Sequence, residues 1–231
     1  VRFDLYLESG PQHKRTWVYV PGLTGCVAFG PTTDQAIENT RDAIRERLDF
    51  LRRHGEDPPD PEPIELHVAE HVIERKLLGF GQQVVATDRE PLGADEVERQ
   101  LRWAEWSRED LVAAARAQAL PLAESPPAGG RSAAAILSHV AGAEWSYVNS
   151  TLGTLPGYSA AIAAIEGAGS EPWAALAAER ETVMARLRAM SDQERTRLVE
   201  REGKPPRTAR RMLRRLLEHE WEHVLELRAR L

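Results

Sequence analysis

The chain has a single cysteine, Cys26, so it can form neither an internal disulfide nor a thiolate cage for zinc. One lone thiol fits a reducing compartment. No apolar run approaches the roughly 18 residues that a membrane span requires. The opening residues VRFDLYLESG alternate in character and form no apolar block behind basic residues, so a signal peptide is not expected. An excess of positive charge is lacking too. Thirty Lys and Arg face 36 Asp and Glu, and the net charge of −6 disfavours general nucleic-acid binding. These absences predict a cytoplasmic protein with neither DNA nor membrane as partner. At 231 residues the chain is long enough for two cores.

What is present falls into two patterns. Val1, Phe3, Leu5 and Leu7 alternate with Arg2, Asp4, Tyr6 and Glu8, which predicts a strand with one buried face. A polar turn from Glu8 to Arg15 leads to two β-prone runs, Thr16–Val20 and Gly25–Gly30, parted by Pro21-Gly22. Thr32 and Gln35 form a capping-box signature, and Ala36, Ile37, Thr40, Ala43, Ile44, Leu48 and Leu51 follow at helical spacing. Gly55 ends that helix. After the proline-rich stretch DPPDPEP, Ile64, Leu66 and Val68 predict one more strand.

From about Gly93 alanine becomes abundant and helical periodicity takes over. Four stretches, about Asp95–Leu120, Ser132–Leu152, Ser170–Ser191 and Thr208–Leu231, are separated by proline- and glycine-rich connections. Four amphipathic helices of this length make a bundle, because each apolar stripe needs partners. The boundary between the two regions is expected within Gly79–Gly93. Trp103, Trp106, Trp173 and Trp221 recur on these helices without basic–aromatic interleaving and read as packing residues. Nine Lys and Arg against two Asp and Glu in Arg195–Arg215 read as a solvated face balanced by acidic helices, with an anion-docking patch as the other reading.

His219 and His223 are four apart on the last helix, so both rings lie on one face. They sit at the edge of a stripe made of Leu213, Leu216, Leu217, Val224, Leu227 and Leu231. His139 lies at the margin of the second helix's stripe of Ile136, Val140, Ala143 and Tyr147. Three converging imidazoles would hold a metal with open coordination positions, the arrangement of a catalytic site. The other reading is a solvated pair on an Arg/Glu-rich face beside a hydrogen-bonded core histidine. His219-Glu220-Trp221-Glu222-His223 also fits H-E-x-x-H, but only eight residues follow and none is His, which argues against a peptidase. On a strand, His67 and His71 lie about 13 Å apart and cannot share an ion.

The strings AAAILSHVAGAEW and RMLRRLLEHEWEH, with His139 ahead of the His219/His223 pair, resemble the DinB/YfiT-like family of four-helix inferred metalloenzymes. That resemblance implies zinc or nickel, or else iron or manganese, on His139, His219 and His223. It also implies thiol-dependent transferase or isomerase chemistry using bacillithiol, mycothiol or glutathione. Glu220, as an orienter of a ligand ring, and Glu144 and Tyr147, around the substrate, are the candidate catalytic residues. VYVPGLTGCVAFGPTTDQAIENTRDAI is similar to HicB-like antitoxin domains, although Gly22-Leu23-Thr24 departs from the family's turn. That resemblance implies a small toxin-like protein as the partner of a binding reading. Operator binding does not carry over, because the chain continues into the bundle. Cys26 reads as a small buried residue of that turn. The expected fold class is α+β: a small β-β-β-α-β HicB-like domain over 1–88, then a DinB-like up-down four-helix bundle over 93–231. A small-molecule substrate or thiol and a homodimer complete the expectations.

Overall fold

The computed structural model describes residues 1–10, 14–73, 84–127, 129–202 and 204–231. Part of the expected boundary, the centre of the predicted Glu8–Arg15 turn and Gly203 lie outside these residues. The chain divides into two compact units, residues 1–90 with 200–206 and residues 91–199 with 207–231.

The first unit is a four-stranded sheet carrying one helix. Its strands are β1 (Arg2–Ser9), β2 (Lys14–Tyr19), β3 (Val27–Thr32) and β4 (Glu65–Ile73), in the order β3-β2-β1-β4. Helix α1 (Thr33–Arg53) follows β3 and leads to the opposite edge, where β4 runs parallel to β1. The predicted β-β-β-α-β order is thus the observed one. Thr32 caps α1 by accepting the Gln35 amide hydrogen, and Gly55, at φ +88°, follows its end. Alternation in β1 buries Leu5 and Leu7 completely, but Val1 is left largely exposed.

One buried cation, unremarkable in the sequence, organises this core. Arg47 of α1 is fully buried, donates from Nε to the Thr24 carbonyl at 3.1 Å and stacks 4.3 Å from the Phe50 ring centroid. Gly25 makes room for it. A Cβ there would lie 2.7 Å from the Arg47 guanidinium, and its φ of +92° suits glycine alone. Cys26, next to it, is buried as a small core residue.

The second unit is helical. Its long helices are α2 (Ala94–Arg116), α3 (Ala133–Leu152), α5 (Trp173–Arg188) and α7 (Ala209–Arg228). Its connections hold two helices the sequence did not announce, α4 (Tyr158–Gly167) and the short α6 (Asp192–Thr196), and most of the equally unannounced two-stranded pair β5 (Val199–Arg201) and β6 (Lys204–Arg207) is grouped with the first unit. Helix α4 begins beyond Gly157, whose φ of +99° turns the chain, and it packs on α3 and α5. Leu231, counted in the last stripe, is 68% exposed because α7 ends at Arg228.

Packing around the bundle is not sequential. Helix α2 lies against α7 and α5, and α3 lies against the same two helices. The first two long helices are therefore diagonal partners rather than neighbours. Residues 117–132 join them, and this connection, with Pro121, Pro126 and Pro127, is long enough to cross the end of the bundle. The consequence is functional: α3 and α7 become direct neighbours, and these are the helices that carry the three histidines.

Candidate metal centre

Each histidine reaches its place through local chemistry. Ser132 caps α3 by accepting the Ala135 amide hydrogen, which starts a helix that buries Ile136, Leu137, Val140 and Ala141 and leaves His139 exposed at the margin. Thr208 caps α7 in the same way through Arg211. That helix buries Leu213, Leu216, Leu217, Val224 and Leu227, turning His219 and His223 toward α3. His223 is buried and His219 half-buried.

The three Nε2 atoms converge. His139 Nε2 lies 3.1 Å from His219 Nε2, and His223 Nε2 lies 3.3 Å from the same atom. Ring centroids are 4.6–5.2 Å apart, and the rings meet edge to face. Nitrogens bound at about 2.0–2.1 Å in a tetrahedral shell lie roughly 3.3 Å apart, so these spacings fit a divalent ion. One ligand atom from each residue falls within 4.8 Å of the others, and the cluster could hold a metal ion.

Electrostatics keep the rings available as ligands. Burial first, then His223 and Arg215, push His219 down to about 2. Burial and Arg131 lower His139, and burial lowers His223 against the pull of Glu226. All three are neutral at physiological pH, and a neutral imidazole is the metal-binding form.

A carboxylate fixes one of the rings. His223 Nδ1 lies 2.7 Å from Glu226 Oε2, so Nδ1–H donates and the lone pair is left on Nε2. Burial opposes the charge on Glu226, but the His223 hydrogen bond and Arg131 hold its carboxyl below the usual range. Arg131 donates to Glu226 at 3.0 Å and places a positive charge at the rim. Arg215, buried, pairs with Glu218 at 3.0 Å and lies 3.5 Å from the Tyr147 hydroxyl. The Tyr147 ring stands edge-on to His219, with centroids 6.0 Å apart.

Glu144 and Glu220 belong to a different construction. Arg108 of α2 binds Glu220 of α7, Glu144 of α3 and Glu179 of α5, the last two at 2.8 and 3.2 Å. Arg180 of α5 binds Glu144 and, at 3.2 Å, Glu220. Every long helix contributes, and all five side chains are at most 9% exposed. Burial works against the Arg108 charge, but the three glutamates outweigh it and raise its pKa above the ordinary value. With three carboxylates to two guanidiniums, one carboxyl is pushed up: burial and Glu144 raise Glu179 to about 7. Arg108, Glu144, Arg180 and Glu220 also share the walls of a cavity of about 10 Å³ with Tyr147 and His219. That is about the volume one water needs.

The sequence reading therefore names the three histidines that come together. It places Glu220 as a ligand orienter, whereas the Glu220 carboxylate is held by Arg108 and Arg180, and the orienting carboxylate is Glu226, one turn beyond His223. Arg108, Arg131, Glu179, Arg180 and Arg215 were missed. His67 and His71 lie on β4, bonded to Asp4 at 2.9 Å and to Ser9 at 2.6 Å. In the basic stretch, Arg195 pairs with Asp192 and Arg210 with Glu96, but Arg214 and Arg215, which pair with Glu218, are buried rather than on the expected solvated face.

Comparison with known proteins finds two families, whose matches overlap over residues 64–92. The profile of the HicB-like antitoxin of bacterial toxin–antitoxin systems matches residues 3–92, so the chain has an N-terminal HicB-like antitoxin domain. No helix among the described residues is long and apolar enough to cross a membrane. No curated protein and no solved structure gives a significant match. The DinB superfamily profile matches residues 64–227, well over half of the chain, and the protein belongs to that superfamily.

Proposed function

We propose that the chain is a divalent-metal-dependent enzyme of the thiol-transferase or isomerase type, with His139, His219 and His223 as the ligands. The observation that supports this best is the convergence of three neutral Nε2 atoms at 3.1 and 3.3 Å, at the accessible margin between α3 and α7. When bound, a divalent ion there supplies Lewis-acid polarisation and lowers the pKa of a coordinated thiol or water. Three imidazoles suit zinc, nickel and iron, with zinc and nickel favoured, and manganese, which prefers oxygen ligands, ranks last.

The chain's own residues support that chemistry. Glu226 fixes the tautomer and the orientation of His223. Arg131 and Arg215 put positive potential beside the site, suited to a thiolate or an anionic substrate. Tyr147, steadied by Arg215, offers a phenolic proton next to His219. Glu144 and Glu220 act as positioning residues, holding the guanidiniums that underlie Tyr147 and His219. The test is turnover of a small electrophile by metal-loaded protein with bacillithiol, mycothiol or glutathione. Thiol-dependent product that is lost in His219→Ala supports the reading; no product with any of the three thiols counts against the transferase form.

The HicB-like domain favours a second, compatible reading, in which the first unit binds a small toxin-like protein. Co-purification of such a partner, undiminished when all three histidines become alanine, would assign that role to the first unit alone.

A further inference from the structure

Away from the histidines, α2 and α5 bound an open groove of about 570 Å³. Its buried lining residues, Arg108, Leu176 and Arg180, form the floor, and Val112, Ala113, Trp173 and Ala177 make apolar walls. Its size and mostly apolar surface suit the body of a small amphiphilic molecule.

The charges decide what fits. On the floor, Arg108 and Arg180 are committed to Glu144, Glu179 and Glu220, yet Arg180 Nε is a buried donor without a hydrogen-bond partner among the described residues. At the rim, Glu105 is paired with Arg188, and Glu109, the other carboxylate of the lining, has an interaction of its own. Arg116 differs: its guanidinium stacks 4.5 Å from the Trp173 ring centroid and makes no ion pair with a described residue. The groove thus offers an apolar trough with a positive charge at its mouth.

We infer that this groove binds a small amphiphilic carboxylate. The alkyl or aryl body lies on Val112, Ala113, Leu176 and Ala177, and the carboxylate meets Arg116. The site is separate from the three histidines, with the Arg108–Arg180 layer between them, since both arginines also wall the small cavity beside His219.

The experiment is calorimetric titration of the full chain, treated with EDTA, with dodecanoate below its micelle concentration. Expected is one site, weakened roughly tenfold by Arg116→Ala, since a charge-assisted contact is lost. Ala177→Trp, which fills the groove from an exposed position, should abolish binding while leaving the melting temperature within a few degrees. Dodecyltrimethylammonium, with the same chain and the opposite charge, should bind at least tenfold more weakly than dodecanoate. Equal affinity for wild type and both variants would overturn the inference. So would binding that requires added metal, because the carboxylate would then sit on the histidines. If dodecanoate fails to bind while Ala177→Trp turns a dimer into a monomer in sedimentation, the groove's occupant is a second copy of the chain and the inference is wrong.

Discussion

Two polar clusters lie in one bundle, and they solve opposite problems. In the first, two guanidiniums and three carboxylates from all four long helices are buried together and paired, with one carboxylate in surplus and Glu179 Oε1 and Arg180 Nε left without a hydrogen-bond partner among the described residues. In the second, three imidazoles present the same kind of atom, Nε2, to one another. A buried polar group needs a partner. The first cluster contains its partners and ties the helices together. The second leaves lone pairs facing a common point, which is what a cation requires. The carboxylate it does possess, Glu226, sits behind a ring on Nδ1 and sharpens the contrast.

The comparison can be broken by removing members of each cluster. The largest effect belongs to Arg108→Ala, which strands buried Glu179 and takes one of two guanidiniums from Glu144 and Glu220. It should destabilise the second unit by about 3–5 kcal/mol in denaturant unfolding, while the folded fraction still binds metal. Next, His219→Ala should weaken metal binding by at least about 100-fold with only a small change in melting temperature, more than the loss of an orienting group costs. Glu226→Gln should follow, with a loss of roughly 10–100-fold in metal affinity by competition with a chromogenic chelator.

The smallest effect separates the clusters by pH. Burial and Glu144 hold the Glu179 pKa at about 7 in the folded state, above the ordinary carboxyl value of 4.5, so the folded state takes up the proton more readily than the unfolded state. Stability should therefore fall as pH rises from about 4.5 to about 7, and stay at the lower level above that. Glu179→Gln should remove this slope and gain on the order of 1–2 kcal/mol at pH 8 relative to wild type. An unchanged slope in the variant would contradict the assignment of a surplus carboxylate.

Much of this was legible in the sequence, for reasons tied to period. The β-β-β-α-β order followed from alternation in β1, the Thr32 cap and Gly55. The histidines stood out because the i, i+4 spacing of His219 and His223 puts two ligands on one face. The charged network carried a signal too. Val97, Leu101, Ala104, Leu111 and Ala115 keep a buried stripe on α2 into which Arg108 falls. Glu144, Arg180 and Glu220 interrupt the buried stripes of α3, α5 and α7 in the same way. Charged residues within all four stripes, Arg108, Glu144, Glu179 beside Arg180, and Glu220, mark mutual partners. What one helix at a time cannot reveal is the diagonal packing of α2 and α3, which rests on the length of the 117–132 connection. Helix α4 was hidden because it is short and follows a glycine-rich turn.

The central claim is that the three histidines form a metal site, and metal content tests it most directly. Protein purified without a histidine tag, incubated with zinc, nickel, iron or manganese and then desalted, should retain close to one equivalent of ion per chain. The triple alanine variant of His139, His219 and His223 should retain none. Less than about a tenth of an equivalent in the wild type, with every one of these metals, would contradict the account.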